Sequence, residues 1–294
     1  MIFTRYASLL GSGQYGMAMG SDGNMWSCTS GLTVYQFSPA PALLNTYTLS
    51  GSGTGYLGVC LGPDGNVWIP NGGAGGVWKI NTSGVSTAYT LSGAGGGTAV
   101  CSDGTNLWVG DFNGYVYKVT TGGSSTRYSM PGSAIPIAMC YDGTNIWAAG
   151  LSGNLYKITS GGVVTTYSGG DTPRGICYGP DGRFYLTSTL GSWVWQVTSS
   201  GTFTKITISG SSTDTQGGIC TDGTVMWCSG NGAGGFFSVT TGGSSTFYTA
   251  TGVAVTYGIL YDSTNASVYA TQAGNGNVYV GSTPVATMQL VMLT

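Results

Sequence analysis

The chain has 294 residues, of which 54 are glycine, 41% are hydrophobic and only 6% are charged, with a formal net charge of −2. Its eight Lys and Arg are scattered, so no basic stripe exists to neutralise phosphates, and nucleic-acid binding is not expected. No apolar run approaches the ~20 residues of a bilayer-spanning helix, so membrane insertion is not expected either.

The first residues, MIFTRYASLLGSG, carry Arg5 inside their apolar stretch, which argues against a cleaved signal peptide. The sequons at Asn81 and Asn265 therefore carry little weight. Ile2 to Leu10 read instead as a strand, with FTRYASLLG resembling STRYSMPG at Ser125 to Gly132. Beyond it an Asp-Gly step recurs at Asp22, Asp64, Asp103, Asp142, Asp181 and Asp222, with Asp262-Ser263 as a degenerate seventh. The gaps are 42, 39, 39, 39, 41 and 40 residues. Each step follows a short apolar run and precedes an aromatic residue: Trp26, Trp68, Trp108, Trp147, Tyr185, Trp227 or Tyr269. Asp-Gly between apolar runs marks a hairpin turn, because both residues tolerate the positive φ such turns need.

Each unit divides into strands a to d. In the second these are GVC (Gly58 to Cys60), NVWIP (Asn66 to Pro70), GVWKI (Gly76 to Ile80) and STAYTL (Ser86 to Leu91). Four alternating strands in about 40 residues define a propeller blade, so the fold class is all-β, a seven-bladed β-propeller of four antiparallel strands per blade. Residues 1–284 form the propeller, and the N-terminal strand 2–10 is expected to close the last blade as its outer strand. That leaves VATMQLVMLT (285–294) as a surplus strand or docking tail.

Seven of the ten acids occupy the a–b turns, one per blade, where Asp caps backbone N–H groups and forms no carboxylate pair. Cys60, Cys101, Cys140, Cys177 and Cys220 share one position in strand a, held by Ala18 and Leu260 in the first and seventh units. With no CxxC present, they read as small buried hydrophobes facing the next blade, reduced and not metal-bound. Lys79, Lys118 and Lys157 share a place in strand c, followed by Gln196 and Ser238; their stems are expected to cover apolar surface while the ammonium reaches solvent. A functional basic strip is the alternative.

The remaining candidates lie in the d–a and b–c loops of the top face. Asp111, Asp171 and Asp214 are the acids outside the turns, and Arg174 follows Asp171 by three residues. Tyr15 and Tyr257 hold equivalent positions just before strand a, with Tyr56 one residue out of register. Their blades become neighbours when the ring closes. They offer apolar faces with polar tips to a sugar or protein ligand, or else plug the mouth of the channel.

The phrases GICYGPDGRFYLTS (Gly175 to Ser188) and GVCLGPDGNVWIPN (Gly58 to Asn71) resemble the GI-x-x-GPDGNLWFT repeat of streptogramin B lyase (virginiamycin B lyase) propellers, with a similar phrase in NHL-type relatives. The resemblance spans nearly the whole chain. It implies a seven-bladed propeller and an enzyme that opens a cyclic depsipeptide by elimination, using histidines and a glutamate with a magnesium ion on the top face. None of those residues can be carried over, because this chain has no His and all ten of its acids are Asp. No catalytic residue, metal or cofactor is therefore expected. The functional expectation is a non-enzymatic interaction module, a bacteriophage virion component such as a tail, fibre or decoration protein. It would be made in the host cytoplasm, with other virion proteins or a surface glycan as partners and homo-oligomerisation through assembly. A carbohydrate-binding propeller and a lyase-like enzyme are the alternatives.

Overall fold

Each repeat folds into a meander because its turn glycines turn the chain at fixed points. Gly23, Gly65, Gly104, Gly143, Gly182 and Gly223, which follow the turn aspartates, all have φ between 72° and 93°, where a side chain would be strained. The computed structural model describes residues 1–55, 57–208, 217–230, 234–253 and 256–282. Within them, seven four-stranded antiparallel sheets stand around a channel. The first blade is β2 (Gln14–Met19), β3 (Met25–Thr29), β4 (Thr33–Phe37) and β5 (Leu43–Thr48). The second is β6 (Cys60–Leu61), β7 (Val67–Asn71), β8 (Gly76–Ile80) and β9 (Ser86–Thr90). The third is β10 (Gly97–Ser102), β11 (Leu107–Asp111), β12 (Tyr115–Val119) and β13 (Ser125–Ser129). The fourth is β14 (Pro136–Tyr141), β15 (Ile146–Gly150), β16 (Leu155–Ile158) and β17 (Val164–Tyr167). The fifth is β18 (Pro173–Tyr178), β19 (Phe184–Ser188), β20 (Trp193–Val197) and β21 (Phe203–Thr207). The sixth is β22 (Ile219–Thr221), β23 (Val225–Ser229), β24 (Gly235–Thr240) and β25 (Ser245–Thr249).

The seventh blade joins β26 (Thr256–Asp262), β27 (Ser267–Gln272) and β28 (Val278–Ser282) to β1 (Ile2–Tyr6) in the order β1-β28-β27-β26. The N-terminal strand thus closes the ring, pairing antiparallel from Ile2 opposite Ser282 to Tyr6 opposite Val278. The strand is shorter than 2–10, but its continuation is tied down too: the Ser8 N–H donates to Asn277 Oδ1 at 2.9 Å and the Leu10 N–H to the Gly276 carbonyl at 3.0 Å. The 285–294 tail lies outside the described residues. Strand a of the second blade starts two residues later than expected, because Gly58 has φ 111° and cannot join the ladder.

The core lies between blades, in seven clusters that each join adjacent blades. Trp26, Cys28, Val34 and Leu49 of the first blade, for example, meet Val67, Ile69, Trp78 and Ile80 of the second. Every strand-b aromatic stands opposite the shared strand-a position: Trp68 opposite Cys60, Trp26 opposite Ala18, Tyr269 opposite Leu260. Cys101 and Cys177 pack against the following blade, as their pattern suggests. All seven cysteines are free thiols. Cys28, Cys101, Cys177 and Cys228 are buried and Cys60, Cys140 and Cys220 half-buried; desolvation pushes Cys28 up to about 12 and holds the other six above the ordinary thiol value. Since the thiolate is the reactive form, the folded protein should consume thiol reagent at pH 8 far more slowly than the denatured chain, which takes up seven equivalents per mole, with Cys60, Cys140 and Cys220 the first to react. Rapid labelling of the folded protein would contradict this packing.

The turn aspartates do more than cap backbone. Indole N–H groups of Trp26, Trp68, Trp108, Trp147 and Trp227 donate to Asp22, Asp64, Asp103, Asp142 and Asp222 at 2.6–3.2 Å, and the Tyr185 hydroxyl donates to Asp181 at 2.9 Å. The seventh blade departs from this: Tyr269 donates to the Pro39 carbonyl of the first blade instead, at 2.9 Å. The strand-c lysines also differ from expectation. Lys79, Lys118 and Lys157 place Nζ 5.5–5.8 Å from the ring centroids of Trp68, Trp108 and Trp147. Lys79 and Lys118 then donate across to the Thr121 and Ser160 carbonyls in the c–d turn of the next blade, at 3.1 and 3.3 Å. Gln196 does the same to Thr241 at 2.9 Å. Lys79, Lys118 and Gln196 are ties between blades, because the adjacent blade brings a turn carbonyl within their reach.

Candidate functional site

The inner strands β2, β10, β14, β18 and β26 each contain a β-bulge, between Gln14 and Gly16, Gly97 and Ala99, Pro136 and Ala138, Pro173 and Ile176, and Thr256 and Gly258. A bulge leaves one residue out of the ladder and re-aims its side chain. The residues so displaced include Tyr15, Ile137, Arg174 and Tyr257, which line the upper mouth of a central cavity of about 160 Å³.

Beneath that mouth the next residue of each inner strand is small: Gly16, Gly58, Ala99, Ala138, Gly175, Gly218 and Gly258. The belt is small because adjacent backbones meet there. A Cβ on Gly16 would lie 2.8 Å from the Gly58 carbonyl carbon, and one on Gly218 would collide with the Tyr257 backbone carbonyl oxygen. The third layer is aliphatic: Met17, Val59, Val100, Met139, Ile176, Ile219 and Ile259. This stack of layers is visible in the aligned repeats once strand a is known to line a channel. Its signal is the alternation of small and aliphatic residues at one register.

The structure brings together three of the candidate residues. Tyr15 and Tyr257 stack in parallel, with centroids 5.2 Å apart and planes 3° from coplanar. The Arg174 guanidinium lies 5.1 Å from the Tyr257 ring centroid. Tyr257 therefore meets a tyrosine and a cation at its ring, and an open face for stacking a sugar is not what this cluster provides. Arg174 Nε is buried without a hydrogen-bond partner.

Two candidate acids are placed elsewhere. Asp111 is fully buried and accepts backbone N–H groups with both oxygens, from Gly95 at 2.7 Å, Gly96 at 3.0 Å and Asn113 at 2.7 Å. It braces the d–a loop of its own blade. Asp171 accepts the Trp193 indole N–H at 2.7 Å, while its other oxygen is buried without a partner. Neither lines the channel, and Asp171 makes no ion pair with Arg174. Tyr56 and Asp214 lie outside the described residues. Among the described residues no group of three His, Cys, Asp or Glu could hold a metal ion. No helix among them is long and apolar enough to cross a membrane.

Comparison with solved structures shows where this architecture recurs. Virginiamycin B lyase from Staphylococcus aureus aligns with a TM-score of 0.81 at 17% identity, over 95% of this chain and 98% of that one. A streptogramin B lyase aligns with a TM-score of 0.84 at 18% identity, over 95% and 97%. A catalytically inactive histidine-to-alanine variant of the Staphylococcus aureus enzyme, with quinupristin, aligns with a TM-score of 0.83 at 18% identity, over 96% and 100%. At these identities the likeness is one of fold. No curated protein matches the sequence significantly. The sequence profile of the virginiamycin B lyase family matches residues 42–286. The chain belongs to the virginiamycin B lyase family.

Proposed function

We propose that this propeller is a non-enzymatic interaction module, a bacteriophage virion component acting in assembly or host-surface binding. One observation carries the non-enzymatic reading: the sequence has no His, and among the described residues the charged side chain lining the channel is the cation Arg174, which pairs with no carboxylate. Proton abstraction at neutral pH calls for a base that titrates near neutrality, which His supplies most readily. The Staphylococcus aureus relative is catalytically inactive after a single histidine-to-alanine change.

The magnesium ion that the family resemblance implies does not fit the described residues. Asp111 commits both oxygens to backbone N–H groups and Asp171 holds an indole. Support for the virion reading is compositional: abundant Gly, Ser, Thr, Asn and Tyr with 6% charge suits a protein displayed on the outside. The apolar 285–294 segment suits attachment by adding a strand to a partner sheet. The stacking of Tyr15 on Tyr257 takes weight from the glycan alternative.

Incubated with a streptogramin B and magnesium, the protein should leave the cyclic depsipeptide intact by mass spectrometry. Ring opening that chelation abolishes would overturn the non-enzymatic reading. Purified particles from the producing culture should contain the chain, and a chain confined to the soluble lysate would overturn the virion reading.

A further inference from the structure

We infer that the mouth of the central channel is a binding site for a small amphiphilic carboxylate, with its anionic head on Arg174 and a short aliphatic tail directed down the channel. The first observation is a cation at the channel mouth that no acid among the described residues compensates. Arg174 pairs with no acid among the described residues, its Nε is buried without a partner, and Asp171, three residues earlier, is turned to Trp193. A guanidinium presents five donors in a planar fork that matches a carboxylate. The Arg174 side chain is half-buried and so partly withdrawn from water, and an anion that pairs with its guanidinium gains more than it would at a fully exposed arginine.

The second observation is the layering beneath it. The Tyr257 ring carries the guanidinium on its face and is itself backed by Tyr15, which holds Arg174 at the rim. Below, the aliphatic ring from Met17 to Ile259 forms the wall. A polar body such as a sugar ring would lose water there with little in return, whereas an alkyl tail gains. The volume, about 160 Å³, limits the guest. An apolar cavity of about 150 Å³ takes one benzene-sized molecule, roughly six heavy atoms, which is the size of butyrate. The inference deepens the binding-module reading and rests on it.

The test is titration of the whole chain with sodium butyrate at constant ionic strength, followed by amide NMR of Gly16, Gly175 and Gly258. Saturable shifts are expected with butyrate, and much weaker ones with 1-butanol, butylammonium or glucuronate. Arg174→Gln should weaken butyrate binding about tenfold or more, the scale of one lost charge-assisted hydrogen bond. Arg174→Lys, which keeps the charge without the fork, should fall between. N-butyryl glycine, which puts an amide and a longer body behind the carboxylate, should bind more weakly than butyrate. Absent butyrate shifts, equal binding of 1-butanol, or glucuronate binding as tight as butyrate would each overturn the inference. So would unchanged affinity in a folded Arg174→Gln protein. Butyrate binding and streptogramin turnover are read separately, so either idea can fail without the other.

Discussion

Phe3→Ala is expected to destabilise the protein by about 3–5 kcal/mol, the range for emptying a buried phenylalanine site. Of the five residues in β1, Phe3 is the one that is buried; Ile2, Thr4, Arg5 and Tyr6 are exposed. Its ring stacks on Phe236 at 4.2 Å and meets the edge of Trp227 at 6.2 Å, so it enters the interface between the sixth and seventh blades. The closing strand is thus held by backbone pairing to β28 and by one side-chain anchor. Loss of that anchor should free β1 and expose β28 as an open edge that can pair with other chains. Hydrogen exchange should rise across Val278–Ser282, and the variant should aggregate on heating below the wild-type transition. Phe3→Leu, which keeps most of the volume, should cost less than about 1.5 kcal/mol. Ile2→Ala on the exposed face is the control, and equal stability of Phe3→Ala and Ile2→Ala would show that Phe3 does not anchor the ring.

The architecture was legible because its determinants are local and repeat. Asp-Gly followed by an aromatic residue marks each a–b corner, and alternation by two sets which side chains face a neighbouring blade. The likeness of Thr4-Arg5-Tyr6 to Thr126-Arg127-Tyr128 was enough to place β1 as an outer strand, where the register with β28 puts it. What could not be read depends on distances between blades. Lys79 reaches Thr121 because the next blade's c–d turn swings over it, and no spacing within a repeat encodes that approach. Asp111 resembled a top-face ligand by its loop position alone. Its burial follows from the fold of its own d–a loop, whose Gly95 and Gly96 N–H groups need acceptors. Tyr15 and Tyr257 were expected together at the mouth, and they do meet. Their mutual stacking arises from the bulges in β2 and β26, which turn both rings toward each other.

The second large effect concerns acid. Burial alone would raise the carboxyls of Asp22, Asp64, Asp103, Asp142 and Asp222, but indole, side-chain and backbone N–H and O–H donors outweigh it and hold all five below the ordinary value. In the unfolded chain these donors are gone and the carboxyls return to about 3.9. A carboxyl whose folded value is depressed contributes stability that is fully present above its unfolded value and lost as pH falls through the folded one. With no His in the chain, no histidine step is expected between pH 5 and 8. Stability should therefore stay nearly flat from neutrality to about pH 5 and then fall steeply below about pH 4, as several protons are taken up together on unfolding. Asp142→Ala should lower stability at pH 7 by about 2–3 kcal/mol. It leaves the fully buried Trp147 indole and the Thr144 and Asn145 N–H groups without their acceptor. Asp142→Asn keeps a carbonyl acceptor and should cost less, while the acid limb becomes shallower by about one proton. Denaturant unfolding of the three proteins from pH 7 to pH 2.5 measures both quantities. An unchanged acid slope in Asp142→Asn would mean that the aspartate–tryptophan latches are not what acid breaks.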